Sequence, residues 1–291
     1  MEALIQHLAL LTGRPITDYH LIPVSGGDIN QAYQLQSPDL NWFIKLNRAN
    51  LADMFVAELE GLEALAASQC VQVPEVIAVG DYQQYAFLVL NFIQLKPLRG
   101  PAYVLLAEQL AQLHRQPQAY FGWHRDNTIG SNPQVNGSYQ DWLEFWQQQR
   151  LAQQLALAAK QGYQGKLQSR GEKLCLELSG FFQTYQPQPV LVHGDLWAGN
   201  VAADIQGRPV LFDPACYYGD RETDLAMTEL FGGFSADFYA AYQANYPLDS
   251  GYQTRKILYN LYHVLNHLNL FGTAYLAQAQ QMINQLLAEL A

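Results

Sequence analysis

Leu191-Val192-His193-Gly194-Asp195-Leu196-Trp197-Ala198-Gly199-Asn200 is the stretch on which the reading of this chain turns. An apolar run beginning at Val190 passes directly into a polar loop in which Asp195 and Asn200 stand five residues apart. A loop leaving a buried strand can hold two side chains toward one cleft while the strand fixes its base. In isolation the segment also fits an ordinary turn rich in Gly, Asp and Asn.

Moving outward, Leu211-Phe212-Asp213-Pro214-Ala215 repeats the design: an apolar run ends in an acid, 18 residues after Asp195. Far upstream, Trp42-Phe43-Ile44-Lys45-Leu46 places a lysine inside an apolar strand, where a charge is costly without a partner. Glu58, thirteen residues on, lies in an amphipathic segment and is the expected partner. Glu60 and Glu63 share that segment and could be the partner instead, though they fall on different faces.

These groups match the parts list of a phosphoryl-transfer site. In protein kinases, H-R-D-x-x-x-x-N supplies an Asp that accepts the proton of the attacking hydroxyl and an Asn that holds magnesium. A strand lysine paired to a helix glutamate contacts the nucleotide phosphates, and a second Asp follows at a spacing close to that between Asp195 and Asp213. One amide and one carboxylate, Asn200 and Asp213, are oxygen donors suited to Mg²⁺, which keeps waters and takes the rest of its shell from phosphate. Gly26 and Gly27, in Ser25-Gly26-Gly27-Asp28, free the backbone to approach a phosphate but match neither G-x-G-x-x-G nor the Walker pattern. The connector through Asn91, Phe92 and Ile93 is assigned to the adenine ring by its position only.

The rest of the chain supplies the frame. Before residue 94, strand-like runs at His20–Val24, Gln31–Gln36, Asn41–Leu46, Val76–Val79 and Tyr85–Phe92 surround one helical segment from Leu51 to Ala67. Beyond Lys96-Pro97 helical periodicity dominates, at about 101–116, 139–161, 167–185, 235–245 and 252–290. The expectation is an α+β, bilobal protein-kinase-like fold: residues 1–93 form a small lobe with a five-stranded antiparallel sheet and one main helix, and residues 94–291 a larger, mostly helical lobe.

Composition narrows the partners. The 291 residues are 49% hydrophobic and 14% charged, enough apolar material for a substantial core. Sixteen basic against 26 acidic residues give a net charge of −10, which argues against nucleic acid or an anionic membrane as partner. A nucleotide is not excluded, because a few local donors and a metal hold it. No run approaches the roughly 20 apolar residues of a membrane span. The start has an acid, Glu2, where a signal peptide needs bases. Three cysteines without CxxC spacing suggest a reducing, cytoplasmic setting. A monomer or weak dimer is expected.

With these pieces in place, the chain resembles the fructosamine-3-kinase family, in the superfamily that also holds aminoglycoside and choline kinases. The resemblance rests on His193-Gly194-Asp195-Leu196-Trp197-Ala198-Gly199-Asn200, Phe212-Asp213-Pro214-Ala215 and Tyr218-Gly219-Asp220-Arg221-Glu222-Thr223-Asp224-Leu225-Ala226-Met227. It extends to Asp126-Asn127-Thr128-Ile129-Gly130, Phe231-Gly232-Gly233-Phe234 and Leu261-Tyr262-His263-Val264-Leu265-Asn266-His267. It implies an ATP- and Mg²⁺-dependent kinase acting on the C3 hydroxyl of ketosamines, either small sugar–amine adducts or glycated proteins, and so a role in deglycation. It further implies Asp195 as base, Asn200 and Asp213 as metal ligands, and Lys45 with Glu58 as the phosphate-positioning pair. Trp197 would lie against the sugar and His267 would touch the substrate; His193 is grouped with them. Two positions depart from the family: Asp28 stands where many members have Cys, and Asn91 where Glu is common.

Other readings stay open at this level. A kinase for another small alcohol, of the aminoglycoside, choline or homoserine type, shares the core motifs. A silent kinase-like scaffold would usually lack one of the Lys and Asp positions, all of which are kept here. His263 and His267 have the i,i+4 spacing of a metal pair but no third ligand. Asp224 reads as a helix N-terminal acid bracing the catalytic loop, and Trp142, Phe145 and Trp146 read as core.

Overall fold

The structure is a computed structural model that describes residues 1–24 and 30–290. Helix α1 (Glu2–Thr12) precedes β1 (His20–Val24), β2 (Gln31–Gln36) and β3 (Asn41–Arg48); α2 (Ala52–Ala67), β4 (Val76–Tyr82) and β5 (Tyr85–Asn91) follow. The five strands form one antiparallel sheet in the order β1-β2-β3-β5-β4.

Because side chains alternate across a strand, β3 sorts its residues between two helices. Trp42, Ile44 and Leu46 join Leu4, Ile5 and Leu8 of α1 on one face. Phe43 packs on the other, with Phe55 and Leu62 of α2. Lys45 shares the parity of Phe43, so its side chain is delivered to the α2 face.

The remaining chain builds α3 (Pro101–Leu113), the short strands β6 (Phe121–Trp123), β7 (Asn127–Ile129), β8 (Asn132–Gln134) and β9 (Gly137–Tyr139), and α4 (Trp142–Phe145). A π-helical turn over Trp146–Leu151 carries α4 into α5 (Ala152–Lys160), and α6 (Lys166–Leu176) follows. Then come β10 (Val190–Val192), β11 (Val201–Ala203), β12 (Pro209–Leu211), β13 (Tyr217–Gly219), α7 (Glu222–Leu230), α8 (Ala236–Asn245), α9 (Tyr252–Phe271) and α10 (Leu276–Glu289). A four-stranded sheet runs β10-β13-β6-β9, and β7-β8 and β11-β12 are separate hairpins.

Several boundaries differ from the sequence reading. The helix expected over 139–161 begins only at Trp142, because Tyr139 pairs with Phe121 in the small sheet. The one expected over 252–290 breaks at Gly272 into α9 and α10. Strands β6 to β9, β11 and β13 have no counterpart in the sequence pattern, since three residues are too few to display alternation. Trp142, Phe145 and Trp146 are buried in the main core. So are Leu65 and Val71, which means residues before 94 also contribute to it. Among the described residues no helix is long and apolar enough to cross a membrane.

Candidate active site

A cavity of about 680 Å³ opens between α2, the loops after β10 and β12, the β7–β8 hairpin and α9. Lys45, Glu58, Asp195, Asn200 and Asp213 all line it. The five charged or amide positions singled out in the sequence, scattered over about 170 residues, therefore share one space.

Lys45 is the hub. Its Nζ donates to Glu58 Oε1 at 2.6 Å and to Asp213 Oδ1. Burial works against the charged ammonium, but the carboxylates of Asp213 and Glu58 outweigh it and hold the lysine pKa above its usual value. Glu60, the competing partner, instead accepts from His124 and Arg125. Asp213 adopts φ 56°, in the left-handed region that Asp tolerates better than most residues, and its side chain stays 47% exposed to the cavity.

Asp195 receives a hydrogen bond on Oδ2 from Asn200 Nδ2 at 3.1 Å, and the same amide donates to the Asp195 carbonyl at 2.9 Å. Burial, with a smaller push from the Asp213 charge, lifts the Asp195 carboxyl to about 7. A carboxyl poised there can take a proton near neutral pH.

The loop that carries Asp195 is clamped from below. Asp224, buried in the first turn of α7, accepts from the backbone N–H of His193 at 2.7 Å and of Gly194 at 2.9 Å. Burial opposes its charge, but the hydrogen bond from His114 and these amides keep it ionised. The bracing role expected of Asp224 thus takes the form of a two-oxygen clamp. Gly194 has φ 81°, and a Cβ there would sit 2.1 Å from the Ala215 carbonyl oxygen, so only glycine lets the two site loops approach this closely.

Trp197 projects from the same loop, 38% exposed, and lines the cavity. A Cβ on Gly199 would stand 2.3 Å from its indole, so the glycine leaves room for the ring to fold over the loop. Trp197 meets Phe231 edge-on, with centroids 6.1 Å apart, and Phe231 continues to His267 at 4.8 Å. Phe271 and Tyr275 complete this aromatic wall around His267. His267 Nδ1 donates to the His263 carbonyl at 2.8 Å.

Three sets of sequence assignments fare differently. His193 is fully buried and faces away from the cavity: its Nε2 donates to the Phe212 carbonyl at 3.1 Å and its Nδ1 accepts from the Asp195 amide. It ties the two site loops together and leaves no ring nitrogen for a substrate. Asn91, Phe92 and Ile93 are not on the cavity wall. The Asn91 and Phe92 amides donate to the carbonyls of Glu75 and Asn41, and the Asn91 side chain accepts from the Glu75 amide. Gly26 and Gly27, with Asp28, lie outside the described residues.

The sequence reading left several wall residues without a role: Phe231, His263, Asn266, Leu270, Phe271 and Tyr275. A signal existed. His263, Asn266, His267, Leu270 and Phe271 recur at i, i+3, i+4, i+7 and i+8, one face of α9, and His267 had already marked that face.

The donors present suit a nucleotide carrying a hard divalent ion. Asp213 and Asn200 offer oxygens, the Asn200 nitrogen being turned to Asp195, and among the described residues no group of three or more His, Cys, Asp or Glu could hold a metal without further ligands. An ion here would complete its shell from phosphate and water, as Mg²⁺ does.

A five-stranded antiparallel sheet above such a site is the arrangement of the kinase-like phosphotransferases. An aminoglycoside phosphotransferase solved with ADP and hygromycin B superposes with a TM-score of 0.65 at 18% identity, covering 97% of this chain and 96% of that one. At that identity the likeness concerns the fold. The particular family follows from closer matches: the fructosamine kinase family model covers residues 1–289, and the chain belongs to that family. A probable ketoamine kinase of Synechocystis is 45% identical over 287 residues, 98% of this chain and 96% of its own. The chloroplastic protein-ribulosamine 3-kinase of Arabidopsis thaliana is 39% identical over 267 residues, 91% of this chain and 81% of its own. The crystal structure of a candidate fructosamine-3-kinase from Haemophilus somnus gives a TM-score of 0.89 at 29% identity, covering 98% and 96% of the two chains.

Proposed function

We propose that this protein transfers the γ-phosphate of ATP to the 3-hydroxyl of a ketosamine, a ketose joined to an amine as in ribulosamine or fructosamine, and thereby takes part in deglycation. The observation that carries the reading is the Lys45–Asp213 and Asn200–Asp195 contacts within one cavity, in a chain of this family.

In this reading Lys45, steered by Glu58, holds the nucleotide phosphates, and Asp213 with Asn200 holds a magnesium ion. When bound, that ion neutralises charge on the phosphoryl oxygens. Asp195 orients the acceptor hydroxyl and accepts its proton; its raised pKa suits it to that task near neutrality. Trp197 offers an aromatic face to the sugar. His193 acts as a positioning residue between the two loops rather than as a substrate contact. Residues 1–93 and 94–291 are proposed as the two lobes, the cleft between them receiving the nucleotide.

The α9 side of the cavity argues against a polycationic antibiotic as acceptor. The wall carboxylates are Glu58 and Asp213, both bonded to Lys45, and Asp195, the proposed base, so among the described residues no further acid lines the aromatic side.

A coupled ADP assay with ribulosamine, fructosamine and aminoglycoside acceptors, with the product located by phosphorus NMR, tests the assignment. The expected result is a 3-phosphate on the ketosamines alone. Asp195→Ala should lower kcat by about a thousandfold or more while ATP still binds. Near-normal turnover in that variant would remove Asp195 from its role, and phosphorylation of aminoglycosides alone would overturn the substrate class.

A further inference from the structure

On the cavity wall made by α9, His263 is 5% exposed, yet its ring Nδ1 has no hydrogen-bond partner among the described residues. Nδ1 is sealed from solvent without a partner, and Asn260 Oδ1, also unpartnered on α9, does not bond to it. Nε2 is the nitrogen left to the cavity that the residue lines. An N–H buried without an acceptor bears its full desolvation cost, so the tautomer favoured carries the proton on Nε2 and leaves a lone pair at the sealed Nδ1.

His267, one turn on, is set the opposite way. Its Nδ1 bonds to the His263 carbonyl, an acceptor only, so the proton of this ring sits on Nδ1 and Nε2 is a lone pair. Burial lowers the pKa of both rings, that of His263 to about 3, which favours the neutral form of each. Two imidazoles on one helix face therefore offer the cavity unlike edges, one N–H and one lone pair. Asn266, between them, is already committed through Nδ2 to the Ile129 carbonyl and through Oδ1 to Asn132.

We propose that His263 is a specificity-determining residue that donates from Nε2 to a sugar hydroxyl of the acceptor, its partner His267 accepting from a second hydroxyl, so that the pair selects a polyhydroxylated chain. This rests on the ketosamine reading of the site. An acceptor with a single hydroxyl would leave one edge of the pair unmatched, and a site built to hydrogen-bond a hydroxyl rejects analogues lacking it by a large factor.

The test has a structural and a kinetic arm. Long-range ¹H–¹⁵N correlation spectra of histidine-labelled protein distinguish the two tautomers without turnover. The expected pattern is Nε2–H for His263 and Nδ1–H for His267; Nδ1–H on His263 overturns the proposal.

In the kinetic arm, His263→Phe keeps a flat aromatic ring of similar size and removes both nitrogens, the orphan included, so folding should persist. With N-substituted 1-amino-1-deoxyfructose as acceptor, kcat/KM should fall about 10- to 100-fold through the acceptor KM, with the ATP KM unchanged. His263→Gln, which restores a donor near Nε2, should recover part of the loss. With an acceptor lacking the matching hydroxyl, parent and His263→Phe should become equal. An equal loss on every acceptor makes His263 structural and overturns the proposal. A parent protein that phosphorylates no ketosamine overturns the functional reading itself, and is told apart because the parent then fails before any variant is compared.

Discussion

Around Lys45 the cavity wall is charged, and its groups are bonded to one another: lysine to two carboxylates, and Asp195 to Asn200. Across the cavity, the α9 wall is aromatic, and the Nε2 atoms of His263 and His267 make no hydrogen bond to the described residues, the ring bond of His267 being spent at Nδ1. The difference follows from what each side has to hold. Developing charge on a phosphoryl group is stabilised best by groups already in place, since preorganised charges need no rearrangement during reaction. A neutral sugar is selected instead by shape and by hydrogen-bond capacity that the protein leaves unspent.

If the two walls work independently, a change under the charged one should alter turnover and leave acceptor affinity alone. The largest effect of this kind is expected for Asp224→Asn. The substitution replaces one carboxylate oxygen with an N–H donor facing the His193 or Gly194 amide. A resulting shift of the Asp195 loop should lower kcat about 100-fold, with the acceptor KM little changed. A matched rise in acceptor KM would show that the walls are coupled.

The pH profile sharpens the comparison. With Asp195 lifted to about 7, kcat/KM should rise with pH and level off above neutrality, standing about tenfold below its plateau at pH 6. Burial lowers the pKa of the α9 histidines, so the limb is assigned to Asp195 and should survive in His267→Phe. A limb that vanishes with His267 would assign the titration to the wrong wall.

The same shift has a stability consequence. A carboxyl whose folded pKa is raised from 3.8 to about 7 favours the protonated form in the fold, so stability is lost as pH rises through that window. Asp195→Asn, free of that penalty, should melt about 2–4 °C above the parent at pH 8, the gap closing toward pH 4. A lower melting temperature at pH 8 would contradict the sign.

The smallest effect is expected at the join between the walls. Gly199→Ala forces the Trp197 ring off the loop and should raise the acceptor KM severalfold without changing the ATP KM. An unchanged acceptor KM would take Trp197 out of the sugar site.

Much of the charged wall was legible in the sequence because its members sit at fixed offsets from recognisable strands. Asp195 and Asn200 leave β10 together, Asp213 follows β12, and Lys45 has the β3 parity that faces α2. Helix geometry put Glu58, Glu60 and Glu63 on different faces, but the packing of α2 decided that Glu58 meets Lys45. The α9 wall was less legible. His263 and Asn266 look like ordinary members of a long helix, and neither the sealing of one imidazole nitrogen nor the arrival of Phe231 and Tyr275 from other elements is a local property.

His193 illustrates the limit most directly. Its place beside Asp195 suggested a substrate contact, but the backbone turn at Gly194 sends it inward to the Phe212 carbonyl. The chemistry available to this protein is written into its residue order, because residue type and offset within one strand–loop unit are set by covalent geometry. The tertiary structure decided which nitrogens and oxygens remain unbonded once the chain has packed, because that depends on contacts between segments far apart in the chain, and those free atoms are what a substrate meets.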